Sequence, residues 1–304
     1  MARSMPAPST PGDSPLTDFR YFATRETYLA WLGSGQYQAP RRALEAAVAA
    51  RLANGERLRF YCHAHSAEGT LVHSASARSE HGYHWREAGA CDVCGAITRI
   101  RLAAEWFASA AAISAAPRVY ITEQLTPLYK VLRHNFPDLV GSEYVPDTVA
   151  RIKSSEMLAM YTADVGARIR HEDVCNLSFA DESFDLIGSF DVLEHVPDYH
   201  AALREFHRVL APGGQLLLTA PFLDGAQATL TRARIVNGEV RHIEPPEYHG
   251  NPTLPEEGSL CFYHFGWDLL EALRNIGFRS VALLSAWGED TAIFGAQNAI
   301  VATK

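Results

Sequence analysis

Four potential metal ligands occur as two close pairs in the first third of the chain. Cys62 and His65 are separated by two residues, and so are Cys91 and Cys94. Two such turns can each offer two ligands, and four sulfur or nitrogen atoms complete a tetrahedral zinc site. The spacing predicts a structural zinc site, with His63 as an alternative to His65. Free buried thiols or a redox pair are the competing interpretations, because only one pair is a full C-x2-C motif.

Three histidines in the second half of the chain are candidate general bases. His195 lies in the run FDVLEHVPD, whereas His249 and His264 follow tyrosines in an irregular segment. Imidazole suits this role because its ordinary pKa lies close to neutral pH. We treat all three as candidate catalytic residues. For each, the alternative is a structural role in the local fold.

The elements that must position these groups follow from composition and hydrophobic patterning. The Pro- and Ser-rich residues 1–18 predict a disordered tail, and two apolar stripes predict helices at Tyr21–Leu32 and Arg41–Leu52. These helices form a packing pair, or alternatively a lid or a homodimer element. The predicted divisions are the tail (1–18), N-terminal helices (19–59), a zinc-knuckle lobe (60–104) and an α/β domain (105–304) with a substrate cap at 222–265.

Short apolar runs that alternate with helical patterns predict a parallel sheet covered on both faces. The predicted helices are Asp198–Leu210, with Asp198 as N-cap, and Trp267–Asn275. The predicted strands are Val119–Ile121, Leu139–Val140, Ala167–Ile169, Phe184–Ile187, Gln215–Ala220, Val281–Ser285 and Asn298–Ala302. The last two have no room for a helix between them, so we expect them to be antiparallel.

The composition and net charge of the chain indicate which kinds of binding partner to expect. The 304 residues are 47% hydrophobic and carry a net charge of −8, which argues against a constitutive nucleic-acid binder. The chain shows no apolar run long enough to span a membrane and no secretory leader pattern. We therefore expect a cytoplasmic protein without a membrane partner.

A family resemblance is carried by FDLIGSFDVLEHVPD followed by LAPGGQLLLTAPF. These runs closely resemble the second half of class I S-adenosylmethionine (SAM)-dependent methyltransferases of type 11. The resemblance implies a seven-stranded, mostly parallel, doubly wound sheet with SAM as cofactor. Thr122–Tyr129 (TEQLTPLY) and Trp85–Gly95 are similar to a bacterial subgroup with an N-terminal zinc knuckle. The expected fold is thus α/β with an N-terminal helical and zinc-knuckle lobe.

The resemblance also implies cofactor contacts, although the usual glycine-rich turn is absent. The run VYITEQLTPLYKVL contains no glycine where the family has G-x-G-x-G, so the backbone cannot use left-handed conformations freely there. The alternative role of Asp173 is to cap a helix or a turn, and that of Asp191 is to be the N-cap of the next helix. The implied contacts are Glu123 toward the amino group, Gln124 or Thr126 toward the carboxylate, Glu143 toward the ribose, Asp173 and Val174 toward the adenine, and Asp191 toward the methionine end.

The predicted reaction is methyl transfer to a hydroxyl, amine or carbon of a small molecule, in a biosynthetic pathway. Transfer from a sulfonium is an in-line displacement, so alignment of the reactants is the main requirement. The acidic balance disfavours RNA acceptors, and protein acceptors are the other macromolecular option. A non-catalytic binding protein built on the same fold is the alternative from a different class.

Overall fold

The computed structural model describes residues 17–72, 78–79, 82–87, 89–254 and 256–304. Most of the predicted tail, residues 1–16, lies outside the described residues. Its last two residues do not match the prediction. Thr17 is buried and bonded to Glu105 and Thr291, and Asp18 begins a strand.

The described chain contains helices and many short strands. The helices are α1 (Arg25–Leu32), α2 (Gly35–Ala53), α3 (Thr98–Ala110), α4 (Pro127–Asn135), α5 (Thr148–Thr162), α6 (Tyr199–Val209) and α7 (Asp268–Ile276). The strands are β1 (Asp18–Phe22), β2 (Leu58–Cys62), β3 (Ala67–Val72), β4 (Arg78–Ser79), β5 (Gly82–Tyr83), β6 (Ala90–Cys91), β7 (Val119–Ile121), β8 (Val140–Gly141), β9 (Phe184–Phe190), β10 (Leu210–Thr219), β11 (Leu230–Thr231), β12 (Ala233–Val236), β13 (Glu239–His242), β14 (Tyr248–His249), β15 (Ser259–Leu260), β16 (Tyr263–His264), β17 (Ser280–Gly288) and β18 (Ile293–Thr303).

Seven strands form the main sheet in the order β1-β17-β18-β10-β9-β7-β8. Strands β8, β7, β9 and β10 run parallel to one another, whereas β10 and β18 are antiparallel, with Gln215 opposite Thr303. Buried apolar side chains fill the parallel strands, as expected for a sheet covered on both faces. The predicted α/β fold with a seven-stranded sheet is confirmed, and the sheet is mixed, with four neighbouring parallel strands.

Two sheet strands differ from the sequence prediction. Ala167–Ile169 is not a strand, because the Gln124 side chain bonds the Arg168 carbonyl and the Arg170 N–H that a neighbouring strand would use. Beyond it, only an isolated bridge links His171 to Glu143. The seventh strand is instead β1, which includes Tyr21 and Phe22 of the predicted first helix. Helix α1 starts later because the Thr24 side chain caps it by accepting the Thr27 N–H.

Helix α6 covers the sheet where the sequence predicted a helix. The Asp198 side chain accepts the Ala201 N–H at 3.0 Å, which fixes the start of the helix. Leu203 and Phe206 are fully buried. The helix ends at Val209, and β10 begins at once, so the Pro212-Gly213-Gly214 sequence lies inside the strand segment.

The chain divides into two compact units. The first contains the described residues of Met1–Arg20, Arg41–Ala116 and Ala286–Gln297; the second contains Tyr21–Pro40, Pro117–Ser285 and Asn298–Lys304. Relative to the predicted boundaries, residues 21–40 fall in the second unit, and 105–116 and 286–297 fall in the first. No helix in the described part of the chain is long and apolar enough to cross a membrane.

Candidate functional site

The turn after β7 is held by side chains instead of glycines. Thr126 caps α4 by accepting the Tyr129 N–H at 3.3 Å, and its hydroxyl donates to Glu123 Oε1 at 2.6 Å. Glu123 is 7% exposed. The turn therefore places a buried carboxylate at the carboxyl end of β7, beside the start of a helix, where the positive end of the helix dipole favours negative charge.

Glu143 lies after β8 and binds the same turn. Its Oε1 accepts the backbone N–H groups of Gln124 at 2.7 Å and Leu125 at 2.8 Å. Burial raises the pKa of Glu143, and these two N–H groups act in the opposite direction. Within the described chain the second oxygen, Oε2, accepts no hydrogen bond. One oxygen thus shapes the turn and the other remains available to a ligand.

Gln124 and Asp173 are both engaged with the backbone. The Gln124 side chain spans from the Arg168 carbonyl to the Arg170 N–H, and it is 5% exposed. Asp173 Oδ1 accepts the Cys175 N–H at 2.9 Å, so this carboxylate caps a local turn. Val174, next to it, is half-buried against the core.

Asp191 ends β9 in a left-handed conformation with φ of 53°. Asp tolerates this region better than most residues with a side chain. Its N–H donates to the Thr219 carbonyl at 2.9 Å, and its Oδ1 accepts the Thr219 hydroxyl at 3.1 Å. The bend therefore turns the chain away from the sheet at the edge where Glu123 and Glu143 also lie.

The three candidate histidines come together with two glutamates, and we name this set the histidine cluster (Glu194, His195, Glu247, His249 and His264). Glu247 Oε1 accepts from Nε2 of His249 at 2.9 Å and from Nε2 of His264 at 3.1 Å. Glu194 Oε1 lies 3.4 Å from His249 Nδ1 and 3.7 Å from His195 Nε2. Glu194 raises the pKa of His249 to about 9, against the effect of burial and with further support from Glu247.

The two glutamates of this cluster are not among the residues predicted from the sequence. Glu194 precedes His195 in the LEH run, on a 3-10 turn at Leu193–His195, and it is 0% exposed. Glu247 lies in the predicted cap, where Arg232 holds its Oε2 at 3.1 Å. The available signal was a carboxylate one residue before His195 and another two residues before His249.

The four predicted zinc ligands also lie together, in the first unit. Cys62 Sγ and Cys94 Sγ are 3.7 Å apart, and Cys91 Sγ lies 3.8 Å from His65 Nδ1. All four ligand atoms are within 4.8 Å of one another. A tetrahedral ion with bonds of about 2.3 Å to sulfur would separate two sulfurs by about 3.8 Å. A disulfide would instead need about 2.05 Å, so the donor set fits a metal better than a disulfide.

Part of the second unit is similar to a described protein family. Residues 127–218 match the family described as "Methyltransferase domain". The chain is 47% identical over 60 residues to demethylmenaquinone methyltransferase of Staphylococcus epidermidis (20% of this chain and 23% of that protein). It is 36% identical over 98 residues to 27-O-demethylrifamycin SV methyltransferase of Amycolatopsis mediterranei (30% of this chain and 36% of that protein). The chain thus spans about a third or less of the length of these curated relatives.

Among solved structures, the chain is similar to SAM-bound CalS10, an amino pentose methyltransferase from Micromonospora echinaspora. The identity is 18% and the TM-score is 0.44, with 67% of this chain and 89% of that one covered. The family match begins at Pro127, directly after the turn that lacks glycine, and ends within β10. Residues 127–218 of this chain are therefore similar to a methyltransferase domain.

Proposed function

We propose that this protein is a SAM-dependent methyltransferase with a small-molecule acceptor. The observation that carries the proposal is the placement of acidic residues at the carboxyl ends of neighbouring parallel strands: Glu123 after β7, Glu143 after β8 and Asp191 after β9. Open α/β sheets bind their ligands at this edge. The methyltransferase-domain match supports the same interpretation.

For the cofactor, we assign direct contacts to the carboxylates and to the adenine-side residues. Glu143 Oε2 would accept the ribose hydroxyls, Asp173 and Val174 would face the adenine, and Asp191 would lie near the methionine end. Glu123, with Thr126 donating to it, faces the amino group. Gln124 has both ends of its amide engaged with backbone groups, so we assign it a positioning role.

When bound, SAM would supply a methyl group for a single displacement. The acceptor hydroxyl or amine would lose a proton, its electron pair would form the new bond to carbon, and the C–S pair would return to sulfur to give S-adenosylhomocysteine. The chain must align the reactants and accept one proton. We assign the proton to the histidine cluster, where Glu247 contacts both His249 and His264 and Glu194 lies beside His249.

A small-molecule acceptor is supported by the relatives and by charge. The Amycolatopsis relative is named for a rifamycin O-methylation, and the similarity to it is 36% over 98 residues. The net charge of −8 offers little attraction to a nucleic-acid backbone. The acceptor atom in the proposal is a hydroxyl, an amine or a carbon of a biosynthetic intermediate.

We further propose that Cys62, His65, Cys91 and Cys94 hold a structural zinc ion. Four protein ligands fill a tetrahedral site and leave no position for substrate. His65 Nε2 lies 3.4 Å from the Glu68 carbonyl, which leaves Nδ1 on the side of Cys91. Gly69 sits under the cluster, where a Cβ would come within 2.7 Å of Cys91 Sγ. The ion would stabilise the loops around β2, β3 and β6.

The decisive test is calorimetric titration with S-adenosylhomocysteine. We expect a Kd on the order of micromolar, equivalent to about −8 kcal/mol. Glu143→Gln keeps an oxygen that can accept the Gln124 and Leu125 N–H groups but loses the charge, so the Kd should rise at least about tenfold, or about 1.4 kcal/mol.

Glu156→Gln makes the same chemical change at an exposed position of α5 and serves as the matched control. Its Kd should equal that of the wild type. An unchanged Kd for Glu143→Gln would reject the ribose assignment. Wild-type protein that binds no S-adenosylhomocysteine up to millimolar concentration would favour a non-catalytic binding protein instead.

A further inference from the structure

Glu194 is a fully buried carboxylate that the fold leaves without a hydrogen-bond partner. Its exposure is 0%, and neither Oε1 nor Oε2 forms a hydrogen bond with any described residue. An ionised carboxylate removed from water is costly unless an ion or a paired charge compensates it. The polar atoms facing it are His249 Nδ1 at 3.4 Å and His195 Nε2 at 3.7 Å, both measured to Oε1.

Both histidines are anchored through their other ring nitrogen. His195 Nδ1 lies 2.8 Å from the Leu260 carbonyl, and His249 Nε2 lies 2.9 Å from Glu247 Oε1. Because a carbonyl only accepts, Nδ1 of His195 carries a proton, which leaves Nε2, the nitrogen on the side of Glu194, as the atom that can bind a metal ion. An imidazole with one nitrogen bonded to a carbonyl or carboxylate is oriented as metal-binding histidines are.

The spacing of the three inward-facing atoms fits a metal ion. Glu194, His195 and His249 each offer one ligand atom, and these atoms lie within 4.8 Å of one another. Bonds of about 2.1 Å in a tetrahedral site place two ligands about 3.4 Å apart. The observed 3.4 and 3.7 Å are close to that value. An ion pair between Glu194 and His249 alone would not account for the direction of His195 Nε2.

We propose that Glu194 Oε1, His195 Nε2 and His249 Nδ1 bind one divalent first-row transition-metal ion. Two imidazoles and a carboxylate are donors that suit zinc, iron, cobalt or nickel rather than magnesium. Three protein ligands leave at least one coordination position open. Glu247 orients His249 from outside the site, and Arg232 holds the other oxygen of Glu247.

The open coordination position would give the metal ion a role in methyl transfer, and this role rests on the proposed function. A metal-bound hydroxyl loses its proton more readily than a free one, so the ion would bind the acceptor oxygen as the nucleophile. His264, bonded to Glu247 and outside the ligand set, would take the released proton. The acceptor class is then one whose methylated atom is a hydroxyl oxygen.

Cobalt titration of the purified protein, with its cysteine site still filled, tests the proposal. We expect one Co²⁺ per chain with a Kd on the order of micromolar, and visible d–d absorption without a thiolate-to-cobalt charge-transfer band. Glu194→Gln should weaken binding at least about tenfold. Glu257→Gln, the same change at an exposed residue of the cap, should bind as the wild type does.

His249→Gln removes a second ligand and decides the test if Glu194→Gln does not fold. The proposal is overturned if the wild type takes up no cobalt at millimolar concentration, if the bound cobalt shows thiolate charge transfer, or if the folded ligand variants bind it unchanged. S-adenosylhomocysteine titration of the same samples separates the two proposals. Intact nucleoside binding without cobalt binding rejects only the metal site, and the reverse result rejects only the methyltransferase assignment.

Discussion

The Tyr129 ring packs directly on Gly141 of β8. A Cβ built on Gly141 would lie 2.6 Å from Tyr129 Cε2 and 2.7 Å from the Glu123 carbonyl oxygen. Such distances do not occur between real atoms, so only glycine allows this approach. The close packing that related folds obtain from glycines inside the turn is obtained here from a glycine on the neighbouring strand.

Gly141→Ala should therefore disturb the turn that carries Glu123 and Gln124. Because backbone as well as a ring lies in the way, we expect the free energy of unfolding to fall by about 1–3 kcal/mol and the Kd for S-adenosylhomocysteine to rise. Urea unfolding and calorimetry measure the two effects. Gly225→Ala, where a Cβ meets nothing within 4 Å, is the control. Wild-type values for Gly141→Ala would show that the turn has room to adjust.

The elements that were predictable from sequence are those whose signals are local. Asp198 begins α6 as an N-cap because its own side chain bonds the Ala201 N–H three residues on. Strand β1 had no such signal, since Tyr21 and Phe22 have an apolar spacing that also suits a helix. The failed strand at Ala167–Ile169 depended on Gln124, a distant residue whose amide replaces the sheet pairing.

The candidate site follows the same pattern. The Cys62–His65 and Cys91–Cys94 pairs were predictable because each turn contains its own two ligands. The contact of Glu194 with His249 was not predictable, because it joins the segment after β9 to an irregular segment that has no hydrophobic periodicity. Glu194 is distinguished from other glutamates by its burial, and the spacing of hydrophobic residues does not show which polar side chains are buried.

A single buried arginine should be essential to the first unit. Arg101 is 1% exposed and donates to the carbonyls of Gly89, Ala96 and Ala292 at 2.6–2.8 Å. Lysine cannot reproduce this planar set of donors. At about 1–3 kcal/mol for each unsatisfied carbonyl, Arg101→Lys should lower the free energy of unfolding by about 3 kcal/mol or more.

Urea denaturation measures this loss, with Arg57→Lys as the matched control. Arg57 is 61% exposed and pairs with Asp92, so its replacement should change stability by less than about 1 kcal/mol. Equal stability losses for the two variants would contradict the assigned role of Arg101.

Replacing one of its cysteine ligands tests the zinc site separately from the proposed site at Glu194. Cys91→Ser should purify with one zinc ion fewer per chain than the wild type, as measured by elemental analysis, and with a lower melting temperature, because ligand binding stabilises the folded state. Cys175→Ser changes a thiol outside the cluster, whose Sγ bonds the Asp198 carbonyl at 3.5 Å. It should keep the wild-type zinc content. A Cys91→Ser protein with unchanged zinc and melting temperature would refute the site.

Glu105 gives the first unit a pH-dependent stability. Burial raises its pKa to about 7, and the Thr17 hydroxyl, bonded at 2.8 Å, acts in the opposite direction. His63 Nε2 lies 3.4 Å from its other oxygen, and burial lowers the pKa of that histidine. A carboxyl group with a raised pKa binds a proton more tightly in the folded state, so its contribution to stability is complete below about pH 4.5 and is lost as the pH rises through about 7.

Glu105→Gln should remove this loss, since the amide cannot ionise. A shift from 4.5 to about 7 corresponds to about 3 kcal/mol, so the variant should gain about that much stability relative to the wild type between pH 5 and pH 8. Urea unfolding at each pH measures the difference, and Glu68→Gln, at an exposed position of β3, is the control. A difference between Glu105→Gln and wild type that stays constant from pH 5 to pH 8 would mean that Glu105 ionises in the folded protein as easily as it does in the unfolded chain.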